Sequence, residues 1–543
     1  MALVLSGVLA ALGDGAPTLA SHECNVRKEK YGDVCLCTEQ HCDSILPLPK
    51  ALNGSQYVVY TSTKAGLRMQ QTIGTVRNHS VKQNKRTIMV DEGTKYQKLL
   101  GFGNALTDAA ILNYNKMNAA TQTMLLEQYW GTNGTRFNVG RVPISSTDFS
   151  THVYSYDDVP GDLALDHFSI DVDRDMGKLD FIKKVLELNT KNMSLFASSW
   201  APPAWMTQQN RTTKNPTLKD GPTSATAQSY AHYLVKFFEE YAAEGIHFWG
   251  LTAQNEPAGN TGAWQDLKFT PAQQRDFIKT CLGPSLRASA VTKDIHLMML
   301  DDQRIHLPLW TKTILSDKDA AQYISGIGLH WYAATEDILP SALYFGLMNK
   351  THHHFPGFFM LATEACEGFL PWSQGPRLGD WARAETYAHD IAGDLNNFAI
   401  GWTDWNAFLD LQGGPNWAKN ECDAPILLDT ENGTRFYKQP MYYALAHFSA
   451  FLPAGSQRIA VDSRSASVLE APMECTGFVT PEGDIVVVVL NRAISDSPIP
   501  FSIRFRNDVG QDTWIDLTAP SHSLQTVVWP RSQADPQEDR AEA

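Results

Sequence analysis

From about residue 97 to residue 405, short apolar runs alternate with longer amphipathic stretches. The runs centre on Phe102, Val139, Phe196, Thr252, Met299, Leu329, Ala362 and Gly401, and each reads as a β-strand. Between the third and fourth lie Tyr230, Tyr233, Leu234, Phe237, Phe238 and Tyr241, spaced i, i+3, i+4, i+7, i+8, i+11 and closed by Gly245. That stripe predicts an amphipathic helix with a glycine stop. Eight such alternations predict an α/β fold, a (β/α)8 TIM barrel. An open doubly wound sheet is the alternative, but it usually carries a glycine-rich phosphate loop after its first strand. Gly101-Phe102-Gly103-Asn104 lacks the third glycine and the helix start.

The flanks change period. Asp484-Ile485-Val486-Val487-Val488-Val489-Leu490 follows a Pro481-Glu482-Gly483 turn, and β-rich pieces continue to Thr526-Val527-Val528-Trp529. Tyr57-Val58-Val59-Tyr60 and Thr87-Ile88-Met89-Val90 are strands in need of a partner sheet. Residues 49–96 and 455–531 are therefore expected to pair as an immunoglobulin-like, antiparallel β-sandwich. The barrel takes 97–406 and 439–454, and a small disulfide-bearing β-domain takes 21–48 with 407–438. Residues 532–543 read as a disordered acidic tail.

Composition narrows the partners. A length of 543 residues implies more than one core. A net charge of −14 with no basic block argues against nucleic acid, and against direct docking on anionic lipid without a local patch or a helper protein. Residues 1–20 read as a secretory signal without its positive n-region. Cys24, Cys35, Cys37 and Cys42 crowd together behind it and read as two disulfides, with three connectivities open. A zinc knuckle is the competing reading, though no Cys-x-x-Cys pair exists. Seven sequons, at Asn53, Asn78, Asn133, Asn192, Asn210, Asn349 and Asn432, fit a glycoprotein.

The chemistry is expected at the C-terminal ends of the barrel strands. Glu256, in Thr252-Ala253-Gln254-Asn255-Glu256-Pro257, follows the fourth run, and Glu364 follows the seventh. Two acids at strand exits are the minimal equipment for cutting a glycosidic bond, and about 5 Å between them permits retention of configuration. Asn255 shares the exit of Glu256, and Arg141, Asp148, Phe149, Trp200, Trp405 and Asn406 stand at others. Their mix of flat rings, acids and amides suits a sugar. In His330-Trp331-Tyr332, one of His330 and Tyr332 is expected to line the pocket. His352-His353-His354 reads as a polar surface loop rather than a metal site, Asp301-Asp302 as ordinary loop acids, and Cys366 as a buried thiol.

The chain also resembles the acid β-glucosidases, or glucosylceramidases, of glycoside hydrolase family thirty, from about Cys24 to Trp529. The resemblance rests on Gly101-Phe102-Gly103-Asn104-Ala105-Leu106-Thr107-Asp108, Met299-Leu300-Asp301-Asp302-Gln303-Arg304, Gly401-Trp402-Thr403-Asp404-Trp405-Asn406, Gly413-Gly414-Pro415-Asn416-Trp417 and Phe436-Tyr437-Lys438-Gln439-Pro440-Met441. It implies a retaining β-glucosidase with Glu256 as acid/base and Glu364 as nucleophile. Asp148, Trp200, Asn255, Trp405 and Asn420 would hold glucose, with Phe149, His330 and Tyr332 lining the site. It implies disulfides Cys24–Cys35 and Cys37–Cys42, and no metal or cofactor. It further implies hydrolysis of glucosylceramide in the lysosome, aided by a saposin-type activator and an anionic lipid surface, after delivery by a sorting receptor. A family-thirty glycosidase acting on polysaccharide is the alternative. The chain departs from the pattern at Gln254, where the family has an acid, and in a shortened loop from Ala258 to Lys268, where Trp264 replaces the family's rim aromatics.

Overall fold

A computed structural model of the protein describes residues 23–50, 52, 54–80, 86–189, 193–333, 341–465, 473–493, 497–506 and 512–530. The expected signal, the acidic tail and the sequons at Asn53 and Asn192 lie outside them. Eight parallel strands close into a barrel: β1 (Gly101–Ala105), β2 (Val139–Ile144), β3 (Ser194–Ser199), β4 (Gly250–Thr252), β5 (His296–Gln303), β6 (Ile324–His330), β7 (Phe359–Glu364) and β8 (Ala399–Asp404). Each of the eight sequence runs falls on one of them. Strand β8 returns to β1 through pairs from Gly401–Gly101 to Asp404–Asn104. Glycine is required at this seam. A Cβ on Gly401 would sit 2.2 Å from the Gly101 carbonyl oxygen, and one on Gly103 would sit 1.7 Å from that of Val139.

The period-two alternation of a strand sets the contents of the barrel. Val139, Phe196, Met298 and Leu361 point inward and form an apolar plug. Two residues further along, the same face of β2, β3 and β7 carries Arg141, Ser198 and Thr363, all buried. The plug thus gives way to a polar layer just below the strand exits. Outside, the helix Ala225–Ala243 buries the whole predicted stripe from Tyr230 to Tyr241. The Ser224 side chain accepts from the Ala227 N–H at its start, and Gly245 follows its end in the left-handed region at φ 81°.

The flanking segments pair across the sequence as their periodicity requires. Gln56–Thr63 lies against Ser523–Trp529, and Arg86–Lys98 against Gln457–Ser465, within one nine-stranded ladder. This β-sandwich encloses its own core, with Ile88, Val487, Phe501 and Ile515 among its members. One pairing departs from the antiparallel expectation: Ile499–Arg506 runs parallel to Arg86–Lys98. A smaller five-stranded sheet joins Val26–Lys28 and Asp33–Thr38 to Arg435–Lys438, Ile426–Leu428 and Leu409–Asp410. It carries the disulfides Cys24–Cys35 and Cys37–Cys42.

Two local readings are corrected. His352, His353 and His354 close the helix Ser341–His354 rather than lying in a loop, because Tyr344, Met348 and Thr351 at helical spacing bury one face that runs up to them. Asp301 and Asp302 belong to strand β5, where a register shift between Leu300 and Asp302 and positive φ at Leu300 (67°) and Asp301 (65°) mark a bulge. Among the described residues, no helix is long and apolar enough to cross a membrane.

Candidate active site

Strands β4 and β7 deliver the two candidate acids to one place. A carboxylate oxygen of Glu256, one of Glu364 and a ring nitrogen of His330 all lie within 4.8 Å of one another. Glu256 is held in the left-handed region (φ 43°), with its N–H donating to the Asp301 carbonyl at 2.9 Å. The Gln303 amide donates to its Oε1 at 3.2 Å, and His330 Nδ1 lies 3.3 Å from the same oxygen. Glu364 is held differently. Arg141 Nη1 donates to its Oε2, and the Tyr332 hydroxyl donates to its Oε1 at 2.7 Å. His330 and Tyr332 stand two residues apart and so share a face, which places both in the site, while Trp331 between them turns away to donate to the Cys366 carbonyl.

The polar layer beneath fixes these groups. Arg141 donates to Ser198 Oγ, to Asn255 Oδ1 and to Asp301 Oδ2, the last two at 2.9 Å. Asp301 also accepts from Thr252 (2.7 Å) and Thr363 (2.6 Å), and its Oδ1 lies 3.2 Å from His330 Nε2. Burial pushes the Asp301 carboxyl up, but Arg141 and His330 outweigh it and hold the carboxyl well below the usual range. Burial likewise opposes charge on His330, yet the Glu364 and Asp301 carboxylates lift it to about 10. Burial raises the Glu364 carboxyl against the pull of His330 and Arg141. Asp302 is raised to about 7 by burial and then by Glu256. It accepts from the Ala258 N–H at 2.9 Å and so secures the turn after Glu256.

The remaining candidates form a cradle beside the acids. Trp200 and Trp405 stack at 4.9 Å, with Phe149 edge-on to Trp405. Arg141 lies over both indoles, 4.8 and 5.5 Å from their centres. Asn420 donates to Asp148 Oδ2 at 2.8 Å, while Asp148 Oδ1 and Asn420 Oδ1 are buried without a hydrogen-bond partner. Two orphaned oxygens side by side are acceptors waiting for hydroxyl donors. Burial raises the Asp148 carboxyl to about 7, and Asn420 opposes the rise. Trp264, from the shortened loop, packs against this cluster.

Gln254 does not reach the Glu256 carboxylate. Its NH2 donates to the Ser199, Trp200 and Asn255 carbonyls and its oxygen accepts from Tyr230. Asp301, read from sequence as an ordinary loop acid, is instead the buried hub of the network, and Arg141, Asp302 and Gln303 join it. Only the position of Arg141 at a strand exit hinted at this. The sequons at Asn78, Asn133, Asn210 and Asn432 are exposed and the one at Asn349 is half-buried. A cavity of about 650 Å³ at the far end of the barrel, lined by Trp130, Arg136 and Phe451, contains none of these site residues.

Comparison with known proteins identifies the family of the chain. The Glycosyl hydrolase family 30 TIM-barrel domain matches residues 99–452, and the family's beta sandwich domain matches 455–527. The chain is 40% identical to lysosomal acid glucosylceramidase of Mus musculus over 92% of its own length and 93% of the relative's. It is also 40% identical to putative glucosylceramidase 4 of Caenorhabditis elegans, over 93% and 95%. The crystal structure of SrfJ from Salmonella typhimurium shares the fold, with a TM-score of 0.78 and 24% identity, covering 88% of this chain and all of that one. The chain therefore belongs to glycosyl hydrolase family 30 and is a glycoside hydrolase.

Proposed function

We propose that the protein is a retaining β-glucosidase that hydrolyses glucosylceramide to glucose and ceramide by double displacement. The observation that carries this reading is the separation of Glu256 and Glu364, whose nearest oxygens lie within 4.8 Å. That spacing leaves no room for a water between acid and sugar and suits direct attack by a carboxylate. Glu364 is the nucleophile, because Arg141 and the Tyr332 hydroxyl bind and orient it as an anion. Glu256 is the acid/base. It stands at the more open edge, its side chain 13% exposed against 7% for Glu364.

In the first step a Glu364 oxygen bonds to the anomeric carbon as the glycosidic bond breaks, and Glu256 gives its proton to the departing ceramide oxygen. In the second, Glu256 takes a proton from water, the water oxygen bonds to the anomeric carbon, and Glu364 leaves. Trp200 and Trp405 offer flat faces to the sugar, and the free oxygens of Asp148 and Asn420 accept its hydroxyls. The Asn255 side-chain oxygen Oδ1 is spent on Arg141, which leaves its NH2 for the 2-hydroxyl.

The mouse relative, a lysosomal acid glucosylceramidase, supports glucosylceramide as substrate and the lysosome as location. A saposin-type activator, an anionic lipid surface and a sorting receptor as partners, the secretory signal, sugar chains on the sequons, and the domain limits given above belong to the same proposal. A 2-fluoro-glucoside tests it: the label is expected on Glu364, and a label on any other residue would overturn the assignment. Turnover of glucosylceramide against a soluble β-1,6-glucan tests the substrate, with the lipid expected to be preferred.

A further inference from the structure

Strand β2 ends at Ile144, and the segment from Ser145 to Tyr156, which carries Asp148 and Phe149, contains neither helix nor strand. Hydrogen bonds from other parts of the chain must therefore fix it. The Trp417 N–H donates to the Asp148 carbonyl at 3.2 Å and to that of Ser150 at 3.1 Å, and its indole N–H donates to the Thr147 carbonyl at 2.8 Å. From the helix Asp108–Asn115, the Ala109 N–H donates to the Phe149 carbonyl at 2.8 Å. Every carbonyl from Thr147 to Ser150 is thereby taken.

The side chains that follow Asp148 converge on one buried acid. Ser150 Oγ and the Tyr154 hydroxyl both donate to Asp108 Oδ2, at 2.6 and 2.8 Å. Two hydroxyls sharing one carboxyl oxygen are served best when that oxygen is an ionised acceptor. Asp108 is buried, and a buried carboxylate needs a cation. Lys178 supplies it from the start of the helix Lys178–Leu188. Its side chain is fully buried, with Nζ 2.9 Å from Asp108 Oδ1 and 2.9 Å from Asp173 Oδ1. Burial opposes charge on Lys178, but the two carboxylates outweigh it and hold the ammonium above its ordinary value. Asp173 in turn accepts from the Tyr156 hydroxyl at 2.6 Å and from that of Tyr241 at 2.7 Å. The Tyr156 oxygen accepts from the Ser145 N–H at 2.8 Å. One ammonium thus anchors the segment at Ser145, Ser150, Tyr154 and Tyr156.

We propose that Lys178 is the positioning residue for the Asp148 carboxyl, and so decides which sugar hydroxyls the enzyme demands. The proposal rests on the reading of Asp148 as an acceptor for hydroxyls of glucose. Lys178 has no exposed surface and acts only through Asp108 and Asp173. Asn420 holds Asp148 Oδ2, whereas Oδ1 has no partner, so its aim depends on where the segment places it. Without the ammonium, two buried carboxylates stand together with no cation between them. One must take up a proton, and the segment loses a fixed acceptor. A displacement of about 1 Å at a positioning contact is enough to cost about 100-fold in rate. Glu256 and Glu364 hang from β4 and β7 and are not held by this network.

The test compares a parent aryl β-glucoside with four analogues, each lacking the hydroxyl at carbon 2, 3, 4 or 6, as ratios of kcat/KM. Asp148→Ala marks the hydroxyls that Asp148 accepts, because preference for those alone collapses. Lys178→Met is expected to lose about 10- to 100-fold of the preference at the same carbons, the range for a hydrogen bond to a charged group, and to keep its preference at the others. A purely structural role lowers all the substrates in proportion and leaves every ratio intact, and that result in Lys178→Met would overturn the proposal. Ser150→Ala removes only the 2.6 Å bond to Asp108 and is expected to show the same selective loss on a smaller scale. Should Lys178→Met fail to fold, unchanged ratios in Ser150→Ala overturn the proposal instead. If Asp148→Ala itself leaves all four ratios unchanged, the reading of Asp148 as a sugar-holding group falls, and this proposal falls with it.

Discussion

Glu364 and Glu256 carry the same carboxyl group into different surroundings, and the difference is testable. Glu364→Gln keeps the volume and removes the anion that Arg141 and Tyr332 orient. Turnover is expected to fall by about 10³-fold or more while glucoside binding persists, measured as kcat against an equilibrium Kd. Glu256→Gln removes the proton donor, so its cost is expected to depend on the leaving group. Loss should be about 10²–10⁴-fold for a ceramide glucoside and far less for the glycosylation step with an activated aryl glucoside. Equal losses on both substrates would contradict the acid/base role. Both acids were legible in the sequence because each follows an apolar run at a strand exit. Asp301 was not, since an acid beside an acid in Leu300-Asp301-Asp302-Gln303 looks solvated until Arg141, Thr252, Thr363 and His330 are seen around it.

Strand exits are rigid only if the helices behind them hold. Beyond β5, Arg304 is buried and donates to Asp390 at 2.6 and 2.8 Å and to Asp394 at 2.6 Å, both on the helix Trp381–Asn396. Trp402 of β8 donates to Asp390 as well. One guanidinium thus ties β5 to the helix that follows β7 and, through it, to β8. Arg304→Met leaves two buried carboxylates unpaired, and an expected loss of about 3–5 kcal/mol in denaturant unfolding follows. A loss below about 1 kcal/mol would show the cluster is not holding these elements together. The helix Ala225–Ala243 announced its C-terminal end through Gly245. The Arg304 cluster carried no such local sign, because its partners are separated by 86 and 90 positions.

Taken together, the buried acids give the molecule an acidic preference. Asp148, Asp266, Asp302 and Glu367 are each raised to about 7, with burial the leading cause. Such a carboxyl binds its proton more tightly in the folded chain than in the unfolded one, where it titrates near 4. Its stabilising contribution is complete below about pH 4 and is lost progressively as pH rises from there through 7. His447 works in the opposite sense: burial lowers it to about 3, so folding gains as pH rises towards 6.5, beyond which little changes. With four such acids against one histidine, the thermal midpoint is expected to fall between about pH 5 and about pH 7.5, and Asp302→Asn to flatten that fall. A midpoint that climbs across this window would show that the four acids are not protonated in the folded protein.

Periodicity alone determined the eight barrel strands, the helix stripes between them, the pairing of the two flanking β-rich segments and the two acids at strand exits. These features are local, since spacing along the chain decides which face is apolar and where an element stops. Tertiary structure alone decided the polar layer around Arg141 and Asp301 and the parallel pairing of Ile499–Arg506. Barrel closure brings residues such as Arg141 and Asp301 within 2.9 Å across 160 positions, and it buries them beyond the reach of water. Which charges must then satisfy one another is a property of that enclosure, and no stretch of sequence contains it.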